Sequence, residues 1–408
     1  MIVANEMWFQ LTILLGIAVA SHFIVTRFGQ PLVIAEIIIG ILIGPSILGI
    51  ITNIDLISQF AQLGAIFLLF AIGLECNLNE IYTKKSLIIA SFGVIVPWIA
   101  GFIFGMWIGQ GVVVSVFIGA IIVATSVAVT AEILVEMGQL DKPVGKAIIG
   151  AAVVDDILGM IVLTMSLGVS SNSISVLPII MLVVAAGLFI IVGAYIGSKY
   201  LGRIILFIEK QTTKVEYSSF IFALAVMFLY AFIAERIGMS AIIGAFVAGT
   251  MFSSVKIKKE LQDGAKILTT VFAPIFFISI GLMVNFRILA GHELYVFMVF
   301  GLIFTIIAMV TKIIGCGIPA KAMGMSNRES LIVGYGMSPR CEVALIIAML
   351  GLTAGIIGQN IYFMAVFMAI LTTVLTPPFL KVLLKEQRKM TKKGELIAAL
   401  SARKKKSF

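Results

Sequence analysis

Apolar residues gather into runs of about twenty residues, separated by short polar loops, along nearly the whole chain. A helix rises about 1.5 Å per residue, so such a run is long enough to cross a hydrocarbon core of about 30 Å. The runs predict an all-α polytopic membrane protein with about thirteen transmembrane helices. Their centres fall in residues 8–28, 31–48, 57–77, 86–109, 112–137, 144–169, 176–205, 217–237, 240–253, 267–288, 294–317, 330–355 and 362–382. The second and ninth are the shortest helical candidates. Residues 1–6 carry no basic side chain, so the first run is expected to be a retained span rather than a signal peptide.

Composition agrees and excludes a soluble domain. Hydrophobic residues make up 61% of the 408, charged residues 12%, and mean hydropathy is +1.17. Charge adds an orientation. With the N-terminus outside, the inner loops and tail collect Arg27, Lys84, Lys85, Lys142, Lys146, Lys199, Arg203, Lys210, Lys214, Lys256, Lys258, Lys259, Lys266, Lys321, Arg328 and every basic residue from Lys381 onward. Of the 29 lysines and arginines, only Arg236 and Arg287 fall outside, and Lys312 and Arg340 fall within spans. This asymmetry predicts a multi-pass plasma-membrane protein with a cytoplasmic C-terminus. It also accounts for the net charge of +9 without a nucleic-acid partner. The basic tail, residues 386–408, is suited to an anionic inner leaflet. Cys76, Cys316 and Cys341 show no metal-ligand spacing and read as small buried residues.

The chain repeats itself weakly. Ile38-Ile39-Gly40 recurs as Ile242-Ile243-Gly244, and Ile72-Gly73-Leu74-x-x-Asn77 recurs as Ile280-Gly281-Leu282-x-x-Asn285. The offset is seven spans, an odd number, so the second copy crosses in the opposite sense. Spans 1–6 and 8–13 are therefore expected to be inverted repeats, with span 7 as linker, an architecture of secondary transporters. Corresponding spans should also break. Span 5 carries Ala124-Thr125-Ser126-Val127-Ala128-Val129-Thr130, small and β-branched residues that weaken a helix. Span 12 carries Gly334-Tyr335-Gly336-Met337-Ser338-Pro339, with two glycines and a proline. Paired broken helices free carbonyls and half-helix ends for a site.

Few charges fall in or near the spans: Glu36, Glu75, Glu132, Asp155, Asp156, Lys312, Arg340 and Glu342. Carboxylates at membrane depth are costly, and a functional reading is the default for them. Asp155 and Asp156 point about 100° apart on one helix and cannot serve one partner equally. Lys312 is the one ammonium placed within a span and the natural partner for an aspartate, with Asp155–Lys312 the pair considered. That pair reads either as a structural bridge or as a proton-switchable one. Asp156 then becomes the candidate sodium ligand and proton carrier, with the Thr125 and Ser126 hydroxyls supplying further oxygens for a hard ion. Arg340 and Glu342, beside the span-12 break, read as a salt bridge or a helix-end device. Glu36, Glu75 and Glu132 line an entry funnel or sit at a membrane boundary.

The Val-Val-Asp155-Asp156 motif resembles the paired-aspartate signature of electrogenic sodium/proton antiporters of the second cation:proton antiporter family, the NapA/NhaA type. Glu36-x-x-x-Gly40-x-x-x-Gly44-Pro45, Ile72-Gly73-Leu74-Glu75, Thr125-Ser126 and Pro339-Arg340-x-Glu342-Val343-Ala344 are similar as well. Kef-type potassium/proton relatives carry an uncharged residue where this chain has Asp155. The resemblance implies a homodimer and a non-enzymatic exchange of Na⁺ or Li⁺ for H⁺ without a cofactor. It also implies two protons per sodium and elevator-like movement of a core against a dimerisation domain. The dimerisation domain would comprise residues 1–80 and 211–290, the ion-carrying core 81–170 and 291–385, with 171–210 as linker. An electroneutral potassium/proton or sodium–potassium/proton exchanger is the alternative on the same fold.

Overall fold

The computed structural model describes residues 7–28, 31–51, 54–76, 81, 83–170, 176–211, 218–255, 257–283 and 293–406. Among these the structure is helical, with no strand. In order the helices are α1 (Met7–Phe28), α2 (Leu32–Ile43), α3 (Ile54–Glu75), α4 (Lys84–Trp107), α5 (Val112–Val123), α6 (Val127–Glu136), α7 (Pro143–Ser170) and α8 (Val176–Ile196). A π-helical turn, Gly197–Leu201, then leads into α9 (Gly202–Gln211). There follow α10 (Ser218–Arg236), α11 (Ala241–Met251), α12 (Lys258–Leu282), α13 (Glu293–Ala322), α14 (Asn327–Gly336), α15 (Glu342–Thr353) and α16 (Gln359–Lys406). Helices dominate because hydrocarbon offers no hydrogen bonds, so each segment must satisfy its backbone internally.

Nine stretches among the described residues are long and apolar enough to cross a bilayer. Four shorter apolar helices stand beside them: Leu32–Ile43, Leu177–Gly193, Ala241–Met251 and Val343–Thr353. One of the nine, Val112–Glu136, is interrupted between α5 and α6. At 12 and 11 residues, α2 and α11 reach only about 18 and 16 Å. Every residue of α11 is buried, while α2 buries one face and leaves Ile38 and Leu42 exposed.

Glycine makes that packing possible. At Gly40 a side chain would meet the Ile278 carbonyl and the Cα of Gly281, while Gly73 and Gly249 abut each other in the same way. Backbones this close exclude even a methyl group, as small-residue contacts between membrane helices require. These contacts join α2 to α12 and α3 to α11, making one panel with α1 and α10. A second panel packs α4 against α5, α7 and α13, with α14, α15 and α16 completing it. The glycine contacts are mutual, Gly40 with Gly281 and Gly73 with Gly249. Asn77 and Asn285 lie outside the described residues.

Large apolar side chains face outward where lipid would lie, among them Phe23, Ile103, Ile191, Phe207, Ile221 and Ile318. Ser326 closes a reciprocal capping box with Glu329 at the start of α14, fixing its entry. The three cysteines are buried and form no disulfide.

Candidate functional site

Two broken helices cross at the centre of the second panel. α5 stops at Val123 and α6 restarts after Ser126, whose extended backbone caps it. α14 stops at Gly336, and α15 restarts after Cys341. Pro339 has no N–H to continue the first half-helix and biases Ser338 away from helical geometry. The breaks are stitched together. Ser126 N–H donates to the Pro339 carbonyl at 2.8 Å, and the Thr130 hydroxyl donates to the Gly336 carbonyl at 2.5 Å. The Thr125 hydroxyl lies 3.5 Å from the Met337 carbonyl. The crossing therefore presents two carbonyl ends, partly negative, and two N–H ends, partly positive.

Two buried cations hold the carbonyl side. Lys312, in α13, donates to Asp155 Oδ1 at 2.6 Å, to the Gly93 carbonyl at 2.9 Å and to the Val123 carbonyl at 3.0 Å. An ammonium has three protons, so its donor capacity is filled. Both partners of the pair are shut off from solvent, at 0% and 1% exposure. Arg340 Nε donates to the Ile122 carbonyl at 2.9 Å, Nη1 to Ser338 at 2.6 Å and Nη2 to Ala308 at 2.8 Å. Its own N–H donates to the Thr372 hydroxyl, and its carbonyl accepts from Thr373. Arg340 thus ties the end of α5 to α13 and α16, which is a helix-end function rather than a salt bridge.

Asp156 turns away from this arrangement. It lines a cavity of ≈ 460 Å³ together with Gln62, Glu235, Ser240, Ser279 and Cys341. It accepts a hydrogen bond from the backbone of Ser240, the residue that caps α11. Its Oδ2 is buried with no hydrogen-bond partner. Of two adjacent carboxylates, one is neutralised by a lysine on another helix, and the other lines a cavity and keeps one buried oxygen unsatisfied. That is the arrangement of a group able to hold either a proton or a small cation.

A family profile described as sodium/hydrogen exchanger, transmembrane, matches residues 11–386. The chain belongs to that family. The exchanger is 35% identical over 380 residues to the Na(+)/H(+)-K(+) antiporter GerN of Bacillus cereus, covering 92% of this chain and 96% of the relative. It is 34% identical over 375 residues to a Na(+)/H(+) antiporter of Enterococcus hirae, covering 90% and 95%. Its fold matches the sodium proton antiporter MjNhaP1 from Methanocaldococcus jannaschii with a TM-score of 0.67, over 91% of this chain and 95% of that one, at 18% identity. The protein is a multi-pass membrane antiporter of cations and protons, not an enzyme.

The structure gathers the residues singled out in the sequence into separate places. Asp155, Lys312, Thr125 and Arg340 meet at the crossing, with Thr125 in hydrogen-bonding reach of Asp155. Ser126 is at the crossing too, engaged through its backbone. Neither Thr125 nor Ser126 is among the residues lining the Asp156 cavity. Glu36, Glu75 and Glu132 line a second cavity. The side chain of Glu342 lies outside those described. Sequence reasoning missed Ser240, Gln62 and Glu235 around Asp156, and the Gly93 and Val123 carbonyls around Lys312. A serine preceding an apolar run is a legible helix cap; carbonyl acceptors leave no mark in a sequence.

Proposed function

We propose that the protein exchanges sodium or lithium for protons across the plasma membrane, with Asp156 as the group for which cation and proton compete. The observation that carries this reading is Asp156, which lines a cavity and keeps a buried Oδ2 without a hydrogen-bond partner, while its neighbour Asp155 is neutralised by Lys312. A carboxylate that holds one ion or the other, never both, is sufficient for exchange. Thr125, Ser126 and carbonyls freed by the α5–α6 break supply the other oxygens once the site closes around the ion.

We assign the paired-aspartate, electrogenic subgroup from Asp155, Asp156 and Lys312 alone; the relatives carry the family and not the subgroup. Two protons entering per sodium leaving moves one net charge, worth about 2.3 kcal/mol per 100 mV. The second proton resides on Lys312 or on the Asp155–Lys312 pair. Thirteen crossings place the N-terminus outside and the C-terminus inside, as the basic loops favour. The mutual glycine contacts between α2–α12 and α3–α11 support inverted repeats. The first panel acts as the dimerisation domain of a homodimer, and the second moves against it as an elevator.

A second reading is favoured by one finding, the 35% identity to a relative named for potassium as well as sodium: sodium–potassium/proton exchange on the same fold. Reconstitution into proteoliposomes separates them. Proton release is measured on addition of Na⁺, Li⁺ or K⁺, with and without an imposed potential. A response to Na⁺ and Li⁺ that shifts with potential supports the electrogenic reading; a K⁺ response insensitive to potential supports the other. Asp156→Asn should abolish the signal, and undiminished exchange by that variant would remove Asp156 from the site.

A further inference from the structure

The second cavity, ≈ 430 Å³, lies between α1, α2, α3, α6 and α12 and has no part in the site described above. Its mouth carries exposed His22, Glu75, Asp263 and Lys266. Its floor carries Glu36 and Glu132, from helices distant in sequence, and Glu132 is the charge that acts on Glu36. Glu36 is 1% exposed, and its Oε1 is buried without a hydrogen-bond partner. Neighbouring Glu136 is already committed, to Lys381 at 3.5 Å and to the Leu32 N–H. Four carboxylates against one lysine make the cavity cation-attracting. A buried acidic oxygen with no partner requires an explanation, and at membrane depth the default explanation is an ion.

We propose that Glu36 and Glu132 form a second monovalent-cation site at the floor of this cavity, where a cation waits on the side of the crossing opposite Asp156. Glu132 stands six residues beyond Ser126, about 9 Å along α6, so an ion held there is one and a half helical turns from the break. Two hard carboxylates suit an alkali cation. Among the described residues no group of three or more His, Cys, Asp or Glu converges to cage a metal ion. A proton on the pair would compete with that cation. The inference goes beyond the Asp156 reading, and its test is arranged to be independent of it.

The experiment uses purified full-length Asp156→Asn, which removes the first site, and follows thermal unfolding while Na⁺, Li⁺ or K⁺ is titrated. The second site predicts a residual, saturable stabilisation that weakens as pH falls. Adding Glu36→Gln or Glu132→Gln should weaken the apparent affinity by about tenfold or more, or about 1.4 kcal/mol. Both changes are isosteric and on different helices, so each checks the other if one fails to fold. Absence of cation stabilisation in folded Asp156→Asn overturns the proposal, as does stabilisation that both glutamine variants leave unchanged. Exchange persisting in Asp156→Asn would overturn the earlier reading and leave this one standing.

Discussion

Replacing Lys312 by glutamine leaves Asp155 as an isolated charge in a place with no water. The ammonium and carboxylate are 2.6 Å apart at 0% and 1% exposure, and the same ammonium donates to two carbonyls. Breaking such a buried pair from one side costs about 3–5 kcal/mol, because the remaining charge is uncompensated. Asp155→Asn strands the lysine and should cost a similar amount. Changing both sides places two neutral amides against each other, which can hydrogen-bond, so the double variant should lose only about 1–3 kcal/mol. The coupling in the double-mutant cycle should therefore be at least about 3 kcal/mol. The assay is chemical unfolding in mixed micelles, checked by thermal melting. Lowering the pH should reduce the loss in Lys312→Gln, since protonating Asp155 removes the stranded charge. Single losses that add to within about 0.5 kcal/mol would show that the two side chains do not stabilise each other and would refute the argument.

The fork at Arg340 predicts that lysine is no substitute: three carbonyls on three segments accept from it, and a point charge cannot span them. Arg340→Lys should cost about 2–4 kcal/mol of stability in unfolding titrations, and a melting curve identical to wild type would count against the fork. Gly281→Ala should cost about 1–3 kcal/mol or prevent folding, since its Cβ would lie 2.2 Å from the Ile37 carbonyl; Gly16→Ala, with nothing nearby, should be neutral or slightly stabilising. Thr130→Val removes the donor to the Gly336 carbonyl and should cost about 0.5–1.5 kcal/mol, read by the same melts; no loss would mean the crossing is held without it.

The apolar runs by themselves determined where the helices lie, because a residue's cost in hydrocarbon depends on its own chemistry before any partner is known. The same logic picked out Asp155, Asp156 and Lys312, since a charge within such a run is anomalous wherever the chain folds. Thr125-Ser126 and Gly334 to Pro339 marked the breaks, since propensity and a missing N–H act locally. Only tertiary structure decided which carboxylate meets the lysine, for the 100° between neighbours gives direction only once the surrounding helices are placed. It also decided that Arg340 binds three carbonyls, that Ser240 reaches Asp156, and that Glu36 and Glu132 share a cavity. Backbone acceptors and cavities belong to no single residue type. Gly40, Gly73, Gly249 and Gly281 lie between these limits: the sequence displays them, but the absence of a side chain acquires meaning only when another backbone fills the space.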